Sequence, residues 1–337
     1  MKKIISGWIH KPGEHCASTV LSDLTYFYRL NLSEPFCLGL GAGLGFFYLQ
    51  ADALSPSRMI MTRAHNLEGN FFQALDIDFS WQTESDPEKG WQKVKELIDK
   101  NIPVLLHADI YYLDHYRSKT HFPGHVILLW GYDLERKIAY IADTGWQGLV
   151  ELPLSSLEKA RYSQVGIFSL KGDYFPAQLP QKLNKMPERI VRAILLQASL
   201  LLDVDEFAQQ GAWSGVKGMQ KTAQELESWQ EAEDSSWCFR WAYQIIERRG
   251  TGGGAFRRLY AEFLRQASEL VPELKDSAPY EKMEKIAQRW SELAGLFKEL
   301  SEIEHPPKNM LRQASDWMEE IAEREEEFFE RARAKLK

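Results

Sequence analysis

His125-Val126-Ile127-Leu128-Leu129-Trp130-Gly131-Tyr132, the turn Asp133 to Lys137, and Ile138-Ala139-Tyr140-Ile141-Ala142-Asp143 together read as a β-hairpin. Two apolar runs flank a polar turn. Pairing about that turn carries the far end of the second run, Asp143 or a neighbour, toward the start of the first strand, where His125 stands. With an even register sum the two side chains share a face at cross-strand or diagonal distance, and a register shifted by one residue puts them on opposite faces. A shared face is the arrangement a carboxylate needs to orient an imidazole. Upstream, Trp91 to Ile98 is an amphipathic helix ending at Lys100-Asn101, and Ile102 to Asp109 reads as a buried strand. Helix into strand into hairpin predicts an α+β core with an antiparallel sheet. His107 and Asp109 occupy alternate positions of that strand, as satisfied core groups or as cleft lining.

A thiol supplies the second half of the pattern. Gly13-Glu14-His15-Cys16-Ala17-Ser18-Thr19 is a glycine-containing turn opening an apolar-periodic segment, with a helix predicted over about Ala17 to Leu30. The first turn of a helix has unpaired N–H groups and a positive dipole end, both of which favour a thiolate. By itself Cys16 reads more readily as a small buried apolar residue, which is what most free cysteines are. With His125 to take and return its proton and Asp143 to hold the ring, it reads as a nucleophile. Four histidines, His107, His115, His121 and His125, raise the question of a metal. Pro123 and Gly124 separate His121 from His125, and no cysteine pair has zinc spacing, so no metal or bound cofactor is expected.

Other stretches are open to two readings. In Cys37 to Tyr48 glycine occupies every second position from Gly39 to Gly45. As a strand this has one bare face, giving either a cleft wall that includes Gly41 and Gly43 or a tight crossing over the first helix. Gln164 to Leu170 reads as the last strand, and Asp173 to Pro180 as a proline-marked linker. Beyond it every periodic segment is helical: Ile190 to Leu202, Ala223 to Ala232, Ser236 to Arg249, Phe256 to Leu270, Tyr280 to Leu300 and Met310 to Leu336. The chain thus divides into an α+β domain over 1–175 and an all-α domain over 176–337. Thr251, Gly252, Gly253 and Arg257 surround a helix start and read either as an anion contact or as a close interhelical turn.

Composition removes several classes. A net charge of −7 over 337 residues, with dispersed Lys and Arg, provides no field for nucleic acid. Three widely spaced cysteines fit free thiols in a reducing compartment. The apolar run at the start is shorter than a signal peptide, and no stretch reaches about 18 apolar residues, so neither export nor a membrane span is expected. A cytoplasmic protein is the expectation.

Gly13-Glu14-His15-Cys16 with Ser18, the segment Leu38 to Phe46, Asp109-Ile110-Tyr111-Tyr112-Leu113 leading to His121-Phe122-Pro123-Gly124-His125, and Gly131-Tyr132-Asp133 resemble the butirosin-biosynthesis protein H family. Thr251 to Tyr260 looks like the helical domain that commonly follows it. The resemblance implies a papain-like amino-terminal domain, related to bacteriocin-processing cysteine peptidases. It also implies transfer of an acyl or aminoacyl group from a carrier-protein or coenzyme A thioester to a small-molecule amine, in secondary metabolism such as antibiotic biosynthesis. Cys16 is then the nucleophile, His125 the general base and acid, and Asp143 the orienting carboxylate, and a thioester-linked phosphopantetheine is the donor. The alternatives are a papain-like amidase or peptidase and a non-catalytic binding protein. The peptidase relatives carry a glutamine about six residues before the cysteine; here that position is His10, so backbone N–H groups, His10 and His15 are the oxyanion candidates.

Overall fold

The computed structural model describes residues 1–165, 169–203, 212–275 and 277–336. The chain opens with β1 (Lys2–Ile4), α1 (Cys16–Phe27), α2 (Glu34–Leu40), β2 (Leu44–Gln50), β3 (Arg58–Arg63), α3 (Leu67–Ala74) and α4 (Pro87–Asp99). It continues through β4 (Val104–Ala108), β5 (His125–Asp133), β6 (Ile138–Ala142), β7 (Val150–Pro153), α5 (Leu154–Arg161) and β8 (Tyr174–Pro176). Then follow α6 (Met186–Leu202), β9 (Ala212–Ser214), α7 (Gly215–Glu225), α8 (Ser235–Glu247) and α9 (Arg257–Leu270). The last elements are α10 (Pro272–Lys275), α11 (Pro279–Leu300) and α12 (Lys308–Leu336). No helix among the described residues is long and apolar enough to cross a membrane.

These elements form an α+β protein of two compact units that interleave along the chain. The first takes Met1–Cys37 and Leu75–Asn184, and the second Leu38–Ala74 and Lys185–Lys337. A single cut at 175/176 therefore does not separate them, because β2, β3 and α3 leave the amino-terminal half to pair and pack with the helical one.

In the first unit an antiparallel sheet runs β7-β6-β5-β4-β8. β1 pairs with β5 at Gly131 to Asp133, beyond the reach of β4, which begins opposite Leu129. All nine residues of β5 are buried, with α1 and α4 both packed on it. α4 is set by ordinary signals: Asp86 caps the Glu88 and Lys89 N–H groups, Pro87 starts the helix, and Val94 and Ile98 face inward. The segment Asp173 to Pro180, expected as a linker, contains β8, which pairs with β4. Pro176 is tolerated there because an edge strand does not need every N–H. The strand expected over Gln164 to Leu170 falls partly on 166–168, outside the described residues; the remainder of that stretch is not extended into a strand.

The β5–β6 hairpin carries one irregularity that matters for function. Near the turn Gly131 pairs with Tyr140, and on the far side Leu129 pairs with Ile141 and Leu128 with Ala142, so Trp130 is an extra residue on β5. Extending the far register by one residue sets Asp143 opposite Ile127, on the face of His125. Without the bulge Asp143 would stand opposite Leu128, on the other face.

The second unit is mostly helical, with one small antiparallel sheet in the order β3-β2-β9. Trp229, Trp290, Phe239, Phe263 and Tyr260 fill its core. Arg257 lies inside it with no exposed surface, paired through Nε and Nη2 with the equally buried Glu325 at 2.8 Å each.

Candidate active site

Cys16 is the first residue of α1, and His15 is its N-cap in extended backbone. The His15 ring accepts the Ser18 N–H at Nδ1, so in the neutral ring the proton sits on Nε2, which lies 3.8 Å from the Cys16 sulfur. Among the described residues no acceptor takes the Cys16 amide N–H, as befits the first turn of a helix. The turn before it is built by Glu34 at the start of α2. Its carboxylate accepts the N–H groups of Glu14 and His15 and the hydroxyls of Ser18 and Thr19. Gly13 leaves room for this arrangement, since a Cβ would stand 2.3 Å from Thr19 Oγ1 and 2.4 Å from a Glu34 oxygen and force the pair to shift.

His125, at the start of β5, donates from Nε2 to Asp143 Oδ1 at 2.8 Å, and its ring and the Cys16 thiol are near enough for each to shift the other's titration. With Nε2 given to the carboxylate, Nδ1 is the ring nitrogen left for the sulfur. Asp143 is fully buried and accepts three more bonds: from Tyr116 Oη at 3.1 Å, Thr144 Oγ1 at 2.9 Å and His115 Nε2 at 2.8 Å. Two further bonds tie the segment before Cys16 to the loop after Asp143. Gly13 N–H donates to the Thr144 carbonyl at 3.0 Å, and His10 Nε2 to the Trp146 carbonyl at 2.8 Å.

The electrostatics follow from this arrangement. Burial opposes ionisation of Cys16, but the imidazoles of His15 and His125 outweigh it and hold the thiol well below its usual range. Burial likewise works against a charged His125, and Asp143 with the Cys16 sulfur pushes its pKa up to about 10. Asp143 is raised by burial but held well below the usual carboxylate range by His125 and His115. Tyr116 is pushed up by burial and by Asp143 and stays a donor. The lowered thiol and raised imidazole together favour a thiolate–imidazolium pair at neutral pH. Cys37 is pushed well above its ordinary value by burial and Glu34, and Cys238 is raised by burial. Iodoacetamide at pH 6 is expected to alkylate Cys16 while leaving Cys37 and Cys238 unmodified, read by peptide mass mapping. Equal labelling of the three, or a Cys16 rate that rises only above pH 8, would contradict the ion pair.

The remaining candidates fare differently. His10 has no ring N–H left for an oxyanion, because Nδ1 faces Asp23 at 2.6 Å and Nε2 is spent on Trp146. It is a fastening residue whose pKa is raised, burial being outweighed by Asp23. Asp109 is fully buried, and its carboxylate is consumed by Tyr111 N–H, Phe122 N–H, His121 Nδ1 and Ser163 Oγ. It anchors the loop that carries His115 and Tyr116 and is not cleft lining. The alternating glycines are not a strand: Gly39 lies in α2, Ala42 turns the chain with φ of +45°, and β2 starts at Leu44. Gly41 accepts from Asn70, and a Cβ on Gly43 would meet Leu38 and Leu67, all residues of the second unit. Interior packing accounts for both glycines.

The expected anion contact is also overturned. Thr251 is buried and bonds the Ile246 carbonyl, Gly252 and Gly253 have positive φ in a tight turn, and Gly253 N–H is taken by Thr251 Oγ1. Arg257 is committed to Glu325 and to backbone carbonyls and has no exposed surface for a ligand to reach. Three site residues escaped the sequence reading: Glu34, His115 and Tyr116. His115 stood out only as one of four clustered histidines, and nothing local marks Glu34 as serving a turn 19 residues away.

Fold and site define an α+β protein in which a cysteine at a helix start stands beside a histidine hydrogen-bonded to an aspartate, followed by a mostly helical second half. Residues 15–144 match the family described as butirosin biosynthesis protein H, N-terminal, a span running from His15 to Thr144 and so enclosing all three. Residues 155–332, more than half of the chain, match the domain of unknown function family DUF4872. The chain belongs to that family and is a protein similar to butirosin biosynthesis protein H, with a helical carboxy-terminal domain. No curated protein matches it.

Proposed function

We propose that this protein is a cysteine-dependent acyltransferase that takes an acyl or aminoacyl group from a carrier-protein or coenzyme A thioester and gives it to a small-molecule amine. The observation that carries the reading is Cys16 at the start of α1 beside a His125 that is hydrogen-bonded to buried Asp143, with thiol and imidazole shifting each other's titration in opposite directions. The match to a biosynthesis family supports an enzyme of that general kind.

In this reading the Cys16 thiolate attacks the thioester carbonyl. The developing oxyanion is met by the Cys16 amide N–H, which opens the helix, and the His15 Nε2–H, 3.8 Å from the sulfur. His125 gives its proton to the departing pantetheine thiolate as the C–S bond breaks, leaving acyl-Cys16 and a neutral ring. The incoming amine attacks that acyl carbon, its proton passes to His125, and the Cys16 thiolate leaves, restoring the ion pair. Asp143 stays ionised throughout, and His115 and Tyr116 hold its oxygens so that Oδ1 keeps the imidazole aligned.

The test is intact mass after mixing the protein with carrier-bound and coenzyme-bound acyl thioesters. The expected result is one acyl increment, mapped to Cys16, discharged at least tenfold faster by an added amine than by buffer. Discharge into water at the same rate with and without amines points to a hydrolase, and no increment with any thioester points to a binding protein.

A further inference from the structure

In the second unit, the first turns of α11 and the last turns of α12 enclose a cavity of about 430 Å3, within the range of small-molecule sites, roughly 300–1,000 Å3. Its floor is apolar: Leu274 beside α10, Ile286 on α11, and Phe328, Ala332 and Leu336 on α12. Its rim is cationic: Lys282 and Lys285 on α11, and Arg324, Arg331 and Lys335 on α12. The spacing 282, 285, 286 on one helix and 324, 328, 331, 332, 335 on the other places floor and rim on one face of each. Arg324 is paired with Glu320, and Arg331 with Glu327, the one carboxylate among the described lining residues. Among the described residues Lys282, Lys285 and Lys335 have no carboxylate partner. The start of α11 and the end of α12 both lie here, so their opposite dipole ends offset and the positive charge is that of the side chains. The concentration of cations is notable in a chain with net charge −7.

We infer that this cavity binds a free single-chain organic anion, with an alkyl body on the Ile286, Phe328 and Ala332 floor and a carboxylate or phosphate head on the lysine rim. The floor is what an apolar chain leaves water for, and the unpaired lysines favour an anionic head over a neutral one. The site is independent of the cysteine chemistry and belongs to the helical unit alone.

Calorimetric titration of the full chain with decanoate, decyl phosphate and decanol, below their aggregation limits and at fixed ionic strength, tests this. The expected result is saturable one-to-one binding of either anion at least tenfold tighter than decanol. Lys282→Glu combined with Lys285→Glu, both exposed positions, is expected to weaken the anions at least tenfold and leave decanol unchanged. Ala332→Trp, which fills the cavity, is expected to block all three ligands. No saturable anion binding, equal affinity for decanol, or an unchanged titration in the folded lysine variant would overturn the inference. Sedimentation of the same samples covers the other occupant: dimerisation lost in the lysine variant, with no decanoate binding, would assign the face to a second copy of the chain and likewise overturn it.

Discussion

Cys16→Ala is expected to reduce acyl transfer by at least about 1,000-fold while leaving the fold intact. The sulfur is the nucleophile of the proposed site, on a half-buried Cys16 with His15, His125 and Asp143 buried around it. Alanine keeps the first helical position and the unclaimed amide N–H, so the oxyanion donors survive without a nucleophile. His125 retains Asp143, and Glu34 retains the turn, because none of those bonds involves the thiol. Single-turnover thioester consumption, with intact mass and thermal midpoint measured on the same samples, gives the answer. Wild-type consumption by a folded Cys16→Ala protein would remove Cys16 from the mechanism. Cys16→Ser is expected to be nearly as inactive, because a hydroxyl beside an imidazolium does not ionise as a thiol does.

Arg257→Ala is expected to destabilise the second unit by about 3–5 kcal/mol, the usual range for removing one partner of a buried ion pair. Glu325 would keep only the Trp290 indole N–H, at 2.7 Å, as a named partner for a carboxylate with no exposed surface. The loss is not confined to charge. Arg257 Nη1 also donates to the Ala255 carbonyl at 2.7 Å and to that of Gly45 at 3.2 Å. Ala255 and Phe256, with φ of +54° and +70°, extend a left-handed run begun by Gly252, Gly253 and Gly254. Side-chain-bearing residues in that region cost roughly 1–2 kcal/mol each, so the turn depends on bonds that hold it. Urea unfolding measures the effect. The paired variant Arg257→Met with Glu325→Leu is expected to recover a large part of the loss, since burying neither charge is cheaper than burying one. A stability within about 1 kcal/mol of wild type for Arg257→Ala would mean that the pair contributes no more than an exposed one.

Much of the site was readable because its signals are local. A thiol at a helix start, a strand opening on His125 and a hairpin closing on Asp143 are each properties of a dozen residues. The α+β class followed from the same stretches, as did α4 with its Asp86 cap and the helical periodicity of the carboxy-terminal half. His15 entered only as an oxyanion candidate, and its capping role follows from α1 starting one residue earlier than predicted, at Cys16.

What sequence could not supply were the outcomes that depend on distant partners. Alternating glycines have the same local pattern whether they form a bare strand face or, as here, end a helix and approach Phe263, Leu67 and the Arg63 backbone; only the packed neighbours distinguish the two. Arg257 next to a glycine turn looks like an anion site until Glu325, 68 residues away, is seen to consume it. Glu34 and His115 act through contacts that no periodicity encodes. The hairpin itself determined that His125 and Asp143 would lie at the same end of two paired strands. Whether they shared a face was a matter of parity, and parity was decided by one extra residue, Trp130, where β1 pairs beside Gly131 and β5 shifts register. The side-chain period of a strand is two, so that single bulge separates a histidine held by its carboxylate from one facing away from it.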